Sequence, residues 1–208
     1  MKGTFITIEG VEGCGKSTQI QRLVQYLRTK GREIVTTREP GGALIAETIR
    51  TILLDPANRT MSPAAELLLY EAARAQHVAE LIRPALARGA IVVSDRFLDS
   101  TTAYQGAGRA WPRAIVEQLH RLATGDTWPD LTIVIDLPPD EGLARSARLG
   151  PPDRLEREPL SFHRRVRDEF LQLAEREPQR VRVVDGARTP DAVAEEIKKL
   201  VDALLGAR

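Results

Sequence analysis

The sequence predicts an α/β fold built on a parallel sheet, and three observations predict it. Five apolar runs of strand length, at 4–9, 33–37, 90–94, 131–136 and 181–185, alternate with stretches of helical period. Proline follows Ser62, Trp111 and Thr189, where it marks a first helical position. The first run opens into a glycine-rich loop that leads directly into a helix-period segment.

The elements follow in order. "TFITIE" at 4–9 is the first strand, and Gly31 closes the helix after the glycine-rich loop. "EIVTT" at 33–37 is the second strand. From Pro63 to about Arg88 runs one long amphipathic helix with a weak point at Pro84. "AIVVS" at 90–94, "LTIVID" at 131–136 and "VRVVD" at 181–185 complete the strands, and the last helix starts at Pro190. The stretch 145–159, "RSARLGPPDRLEREP", is charged and interrupted by three prolines, which suits a mobile flap at about 143–158 better than a buried element. No repeat or low-complexity linker divides the chain, so 208 residues are expected to form a single domain, 1–208.

Bulk composition narrows the partners. Thirty basic against 29 acidic residues leave a net charge of +1, so no overall field gathers nucleic acid or an anionic membrane. The one cysteine cannot form an internal disulfide, no apolar run reaches the roughly 18 residues of a membrane span, and the first residues lack a signal pattern; the expected location is cytoplasmic.

The loop Gly10-Val11-Glu12-Gly13-Cys14-Gly15-Lys16-Ser17, followed by Thr18, matches G-x-x-x-x-G-K-[ST]. At ordinary glycine usage the bare pattern arises in roughly one chain in a hundred of this length, and the strand-loop-helix setting makes it rarer. Its glycines let successive N–H groups turn inward, and the helix start adds partial positive charge. Lys16 is expected to reach the β- and γ-phosphates of ATP, and Ser17 the Mg²⁺. Glu12 is out of place there: a carboxylate about 6 Å from a phosphate charge is repelled by roughly 3 kcal/mol at an effective dielectric near 20. It is therefore expected to point away from the donor phosphates, or to be a solvated loop residue. Cys14 sits where a helix start would make a thiol reactive, but phosphoryl transfer needs no protein nucleophile, and it reads as a small residue tolerated in a tight loop.

Two classes of phosphate-loop protein are excluded. The guanine reader N-K-x-D is missing, since the only asparagine, Asn58, is followed by Arg59, and no LSGGQ-like signature of a transport ATPase exists. A small-molecule kinase remains. "TREPGG" (37–42), "LLYEAAR" (68–74), "DRFLDSTTAYQG" (95–106) and "PDRLE" (152–156), with "GVEGCGKST", closely resemble thymidylate kinase, over nearly the whole chain and in the same order. The resemblance implies a three-layer P-loop kinase fold with a five-stranded parallel sheet, usually a homodimer, that phosphorylates dTMP with Mg-ATP.

Arg38 and Arg96 each follow a strand's carboxyl end, where open α/β sheets bind ligands, and their guanidinium forks suit a phosphate. Ion pairs with Glu39 or Asp95 are the alternative, and the resemblance favours a grip on the acceptor phosphate. Asp95 and Asp136 both end strands; the DR pairing selects Asp95 to orient Mg²⁺ and leaves Asp136 structural. The resemblance places Pro40 and Ser100 in the acceptor site, Tyr70 against thymine, Arg74 as donor to thymine O4, Thr101 and Gln105 as further base contacts, and Tyr104 as the bulk that excludes a ribose 2′-hydroxyl. Tyr70 stands where the family usually has phenylalanine; by itself the pair Tyr70 and Arg74 is more often core plus surface charge, and the resemblance reverses that order. Gly13 occupies the position where eukaryotic members carry an arginine, so the resemblance is to the bacterial type, whose flap supplies it: Arg148, with Arg145 or Arg154. The resemblance also turns Glu12 toward the acceptor's 3′-hydroxyl and the Mg²⁺ waters. Adenine is expected near 185–188, without a sharp contact.

Overall fold

The computed structural model describes residues 3–125 and 127–206. Five parallel strands, β1 (Thr4–Glu9), β2 (Ile34–Arg38), β3 (Ile91–Asp95), β4 (Leu131–Asp136) and β5 (Val181–Asp185), stand in the order β2-β3-β1-β4-β5. Two predicted strands lie one residue further on than the apolar runs suggested. The ladder between β2 and β3 continues to the Arg38–Asp95 pair, so it carries two charged residues at its carboxyl end that hydrophobicity could not include.

β1 is buried along its whole length, as a central strand covered on both faces must be. Ile6 and Ile8 pack with Leu23 and Leu27 of α1 (Lys16–Arg28) and with Val193 and Ile197 of α9 (Pro190–Gly206). Phe5 and Val92 face the other way, onto Val78, Ile82, Ala85 and Phe97. Period-two alternation thus assigns the sheet's two faces to different helices.

The long run after Ser62 is not one regular helix. α3 (Pro63–His77), capped by the Ser62 hydroxyl, passes through a wide π-helical turn at Val78–Ile82 into the short α4 (Arg83–Ala87). Pro84 lacks an N–H and its ring crowds the carbonyl four residues back; the wider turn relieves that conflict, so the predicted weak point is a local rewinding. α5 (Leu98–Thr101) likewise opens into a π-helical stretch, Thr102–Gly108, before α6 (Arg113–Thr124), whose helix begins one residue after Pro112. α2 (Leu44–Leu54) packs on α3, and α3 on α6. α7 (Pro139–Ser146) and α8 (Leu160–Arg176) bracket the flap.

Strand order decides where the site lies. After β1 the chain crosses outward to β2, and after β3 it crosses β1 to β4. The carboxyl ends of β1 and β3, neighbours in the sheet, therefore send their connections in opposite directions and leave a crevice.

Candidate active site

A cavity of about 600 Å³ fills that crevice, lined by the phosphate loop, the end of β2, α2, α3, the 95–105 segment and the flap. Gly10, Gly13 and Gly15 hold positive φ angles of 137°, 65° and 99°, which curl the loop so that Lys16 begins α1. The Lys16 ammonium donates to the carbonyls of Gly10 (3.1 Å) and Val11 (2.9 Å), inside the curl. Val11 and Cys14 are buried in the core, so the loop is anchored by two side chains and offers its backbone. Gly15, Lys16, Ser17 and Thr18 line the cavity.

Gly13 is required for a second reason. A Cβ there would lie 2.0 Å from the Gly142 carbonyl oxygen, and one on Gly142 would lie 2.2 Å from the Glu12 carbonyl oxygen. The loop and α7 thus touch backbone to backbone. The space an arginine in the loop would need is occupied by the helix that carries Arg145, which lines the cavity.

The other flap arginines divide. Arg148 is exposed and lies off the cavity wall. Arg154 corrects the expectation of a free phosphoryl-seeking arm: it is buried, donating through Nε to the Leu53 carbonyl (2.7 Å) and through Nη1 to Glu66. The flap is correspondingly less loose than its composition suggested, with Leu155 in the core and Arg154 tied to α3, because its carboxyl half carries the residues that dock it.

Beside the phosphate loop, Arg96 adopts φ 68°, outside the usual region for a residue with a side chain. Its Nη1 donates to the Gly10 carbonyl (2.9 Å) and Ser100 Oγ (3.0 Å), and its Nη2 to Tyr104 OH (3.1 Å) and Glu12 Oε1 (3.3 Å). The turn is clamped by Glu9, which is wholly buried and accepts from the Phe97 N–H (2.7 Å) and the Ser100 hydroxyl (2.6 Å). Burial, reinforced by Asp99, pushes the Glu9 carboxyl up to about 8. The Arg96 guanidinium, although burial opposes its charge, is raised well above its ordinary value by Tyr104, Glu12, Glu9 and Asp95.

Glu12 turns into this cluster. Tyr104 OH donates to its Oε1, and His163 Nδ1 of α8 stands 3.3 Å from its Oε2 without hydrogen-bond alignment. Burial alone would raise its pKa, but His163, Arg96, Lys16 and Tyr104 together outweigh that and hold it at about 2. The repulsion expected from a phosphate-facing acid is thus offset by cations and donors on its own side.

Arg38 pairs with neither anticipated carboxylate. Its Nη2 donates to Glu47 of α2 at 3.0 and 3.2 Å, and its side chain remains half exposed beside the cavity. Arg50, which sequence reasoning missed, donates to the Pro40 carbonyl (2.8 Å) and adds a third cation to this end; burial and the Arg38 charge lower its pKa. Its only signal was its place one turn after Glu47 on an amphipathic helix.

At the far end, Tyr70 is buried and lines the cavity. Arg74, only 1% exposed, donates to Glu39 (Nε, 2.8 Å), Glu71 (Nη1, 2.6 Å) and Thr101 Oγ1 (Nη2, 2.9 Å). Glu39 also meets His77 (3.0 Å), and Glu71 meets His120 (2.9 Å). Gln105 completes this wall, its Nε2 donating to Glu66 (2.9 Å). Asp136, expected to be structural, is held in two bonds by Arg167 (2.7 and 2.8 Å).

Ser17, in the first turn of α1, and Asp95, at the carboxyl end of β3, both line the cavity, a hydroxyl and a carboxylate. Among the described residues no cluster of three or more His, Cys, Asp or Glu could hold a metal ion. Two oxygen donors fit a hard cation that keeps its waters and takes its remaining ligands from phosphate. No helix among the described residues is long and apolar enough to cross a membrane.

A family profile described as Thymidylate kinase matches residues 8–197. The thymidylate kinase of Geobacter sulfurreducens is 55% identical over 198 residues, covering 92% of this chain and 93% of that protein. That of Carboxydothermus hydrogenoformans is 52% identical over 206 residues, covering 99% and 100%. A crystal structure of thymidylate kinase from Ehrlichia chaffeensis superposes with a TM-score of 0.79 at 34% identity, covering 97% of this chain and 99% of that one. With the phosphate loop, Arg38, Arg50 and Arg96, and the Tyr70, Arg74 and Gln105 wall in one cavity, and relatives matching it from end to end, this chain belongs to the thymidylate kinase family.

Proposed function

We propose that this chain transfers the γ-phosphoryl group of ATP to dTMP, yielding dTDP and ADP. The observation that carries the reading is the single cavity joining the phosphate loop to a pocket walled by Tyr70, Arg74 and Gln105. The acceptor phosphate needs no general base, because a phosphomonoester's second pKa is about 6 and its oxygen is already anionic near neutrality. That oxygen attacks in line as the bond from phosphorus to the ADP oxygen breaks.

Catalysis is then positioning and charge neutralisation. Gly10 to Thr18 cradle the ATP phosphates, with Lys16 moving from loop carbonyls to the β- and γ-oxygens. Arg38, Arg50 and Arg96 grip the acceptor phosphate, and Ser100 fixes Arg96. Glu12 faces the deoxyribose 3′-hydroxyl, and Tyr104, locked to Glu12 and Arg96, fills the space of a 2′-hydroxyl. Arg145, carried on the helix that touches Gly13, meets the transferring group, with Arg148 following as the flap closes. Ser17 and Asp95 would hold a bound Mg²⁺, which would supply positive charge against the phosphates. The assembly is a homodimer working in the cytoplasm.

The test is turnover of a panel of nucleoside monophosphates with Mg-ATP, reading out diphosphates. dTMP is expected to be preferred; faster conversion of UMP or AMP would overturn the substrate, and ATP binding without turnover would overturn the activity.

A further inference from the structure

Glu66 stands outside the machinery above, yet it is 1% exposed and gathers donors from three residues in two segments. Gln105 Nε2 reaches its Oε1 at 2.9 Å, Arg109 reaches both oxygens at 3.1 Å, and Arg154 of the flap reaches Oε2. Burial disfavours its charge, but Arg109, Gln105 and Arg154 outweigh that and lower its pKa. An ionised carboxylate only accepts, so the Gln105 amide has one permitted orientation. If it flipped, two lone-pair oxygens would face each other at hydrogen-bond distance. The Gln105 carbonyl oxygen is thereby left for the cavity that Gln105 lines.

We infer that Glu66 is a specificity-determining residue: by holding the Gln105 amide nitrogen, it presents the Gln105 carbonyl as a fixed acceptor and so selects a base with an imide N–H, thymine, against cytosine. The inference rests on the proposed reading of Gln105 as a base contact. Arg74, held by Glu39, Glu71 and Thr101, is the neighbouring fixed donor. A wall reading donor then acceptor complements thymine O4 and N3–H. Cytosine offers an amino group and a bare N3, reversed at both positions. The burial of Arg154 gains a reason: the flap contributes a cation that keeps Glu66 ionised.

The experiment measures kcat/KM for dTMP, dCMP and dUMP in the full-length enzyme carrying Glu66→Gln, with KM for ATP alongside. A glutamine at 66 can donate as well as accept, so the Gln105 amide loses its fixed polarity. The dTMP to dCMP ratio is expected to fall roughly tenfold to a hundredfold. The dTMP to dUMP ratio should hold, because both bases carry the same imide. The exchange E66Q/Q105E returns a carboxylate to the pair and an obligate acceptor to the cavity, and should restore selectivity; it is also the readout if Glu66→Gln alone does not fold. An unchanged dTMP to dCMP ratio in folded E66Q, or no selectivity in the exchanged pair, overturns the inference. Gln105→Ala separates the two layers: if it too leaves the ratio unchanged, the reading of Gln105 fails; if it lowers the ratio while E66Q does not, only the role of Glu66 fails.

Discussion

The two glutamates bracketing the start of the phosphate loop are pushed in opposite directions by their surroundings. Glu12 is held at about 2 by His163, Arg96, Lys16 and Tyr104 against the cost of burial, so it stays ionised through the working range and can accept from a sugar hydroxyl. Glu12→Gln keeps the shape and removes the charge; it should lower kcat/KM for dTMP roughly tenfold or more while leaving KM for ATP within about twofold. Equal loss for both substrates in steady-state assays would reduce Glu12 to a shaper of the loop. Glu9 behaves oppositely, since burial raises its carboxyl from 4.5 to about 8. In the unfolded chain it ionises near 4.5, and in the folded chain only near 8. Its folded pKa being raised, its stabilising contribution is complete below about 4.5 and is lost as pH rises to 8. Glu9→Gln removes that slope. The melting temperature of the variant minus that of the parent should therefore grow from pH 5 to pH 8.5, by about 5–10 °C for a chain of this size, and parallel curves in scanning calorimetry would sink the assignment.

At the scale of elements, the contact between the phosphate loop and α7 decides the flap's geometry. Gly13 was legible, because glycine in this motif has a known backbone purpose. Gly142 was not: in "PDEGLARS" it looks like a weak point in a helix, and only the fold shows that it seats α7 on the loop, where a Cβ at 142 would come within 2.2 Å of the Glu12 carbonyl oxygen. Gly142→Ala must push the helix away at a cost of about 1–3 kcal/mol. Because Arg145 rides on that helix, kcat should drop more than KM for dTMP changes, and both can be read from one set of initial-rate curves plus a thermal melt. A variant with parental kcat would mean that Arg145 does not act from this seat. The buried flap arginine teaches a related lesson. Arg154 has the same composition and local charge as Arg145 and Arg148, and its fate is set by Glu66, 88 residues away in sequence, which no local pattern reveals.

For the molecule as a whole, the parallel sheet was readable because its three inner strands, β1, β3 and β4, are buried on both faces and appear as largely apolar runs, and the crevice followed from where the glycine-rich loop and the DR pair leave those strands. The proposed acceptor and base contacts Arg38, Arg74 and Gln105 were readable only through resemblance, and Arg50 not at all, since these are polar residues whose partners come from other segments. What faces outward is the remaining question at this scale. α2, α3 and α6 pack side by side and carry Leu44, Ile45, Ile52, Leu68, Ile115 and Leu122, all exposed, with Leu44 and Leu122 more than 80% so. Leu44, Ile45 and Ile52 share one face of α2 by helical spacing, and Ile115 and Leu122 one face of α6. Large aliphatics repeated across neighbouring helices exceed the scattered exposure normal for a monomer, and a second copy of the chain would remove them from water. Ile45→Glu together with Leu68→Glu should convert the species seen by sedimentation from about 46 kDa, twice the 23.0 kDa chain, to the monomer. Neither residue lines the cavity, so ATP affinity measured on the variant tells dissociation apart from unfolding; a parent that already sediments as a monomer removes this face as a self-association surface.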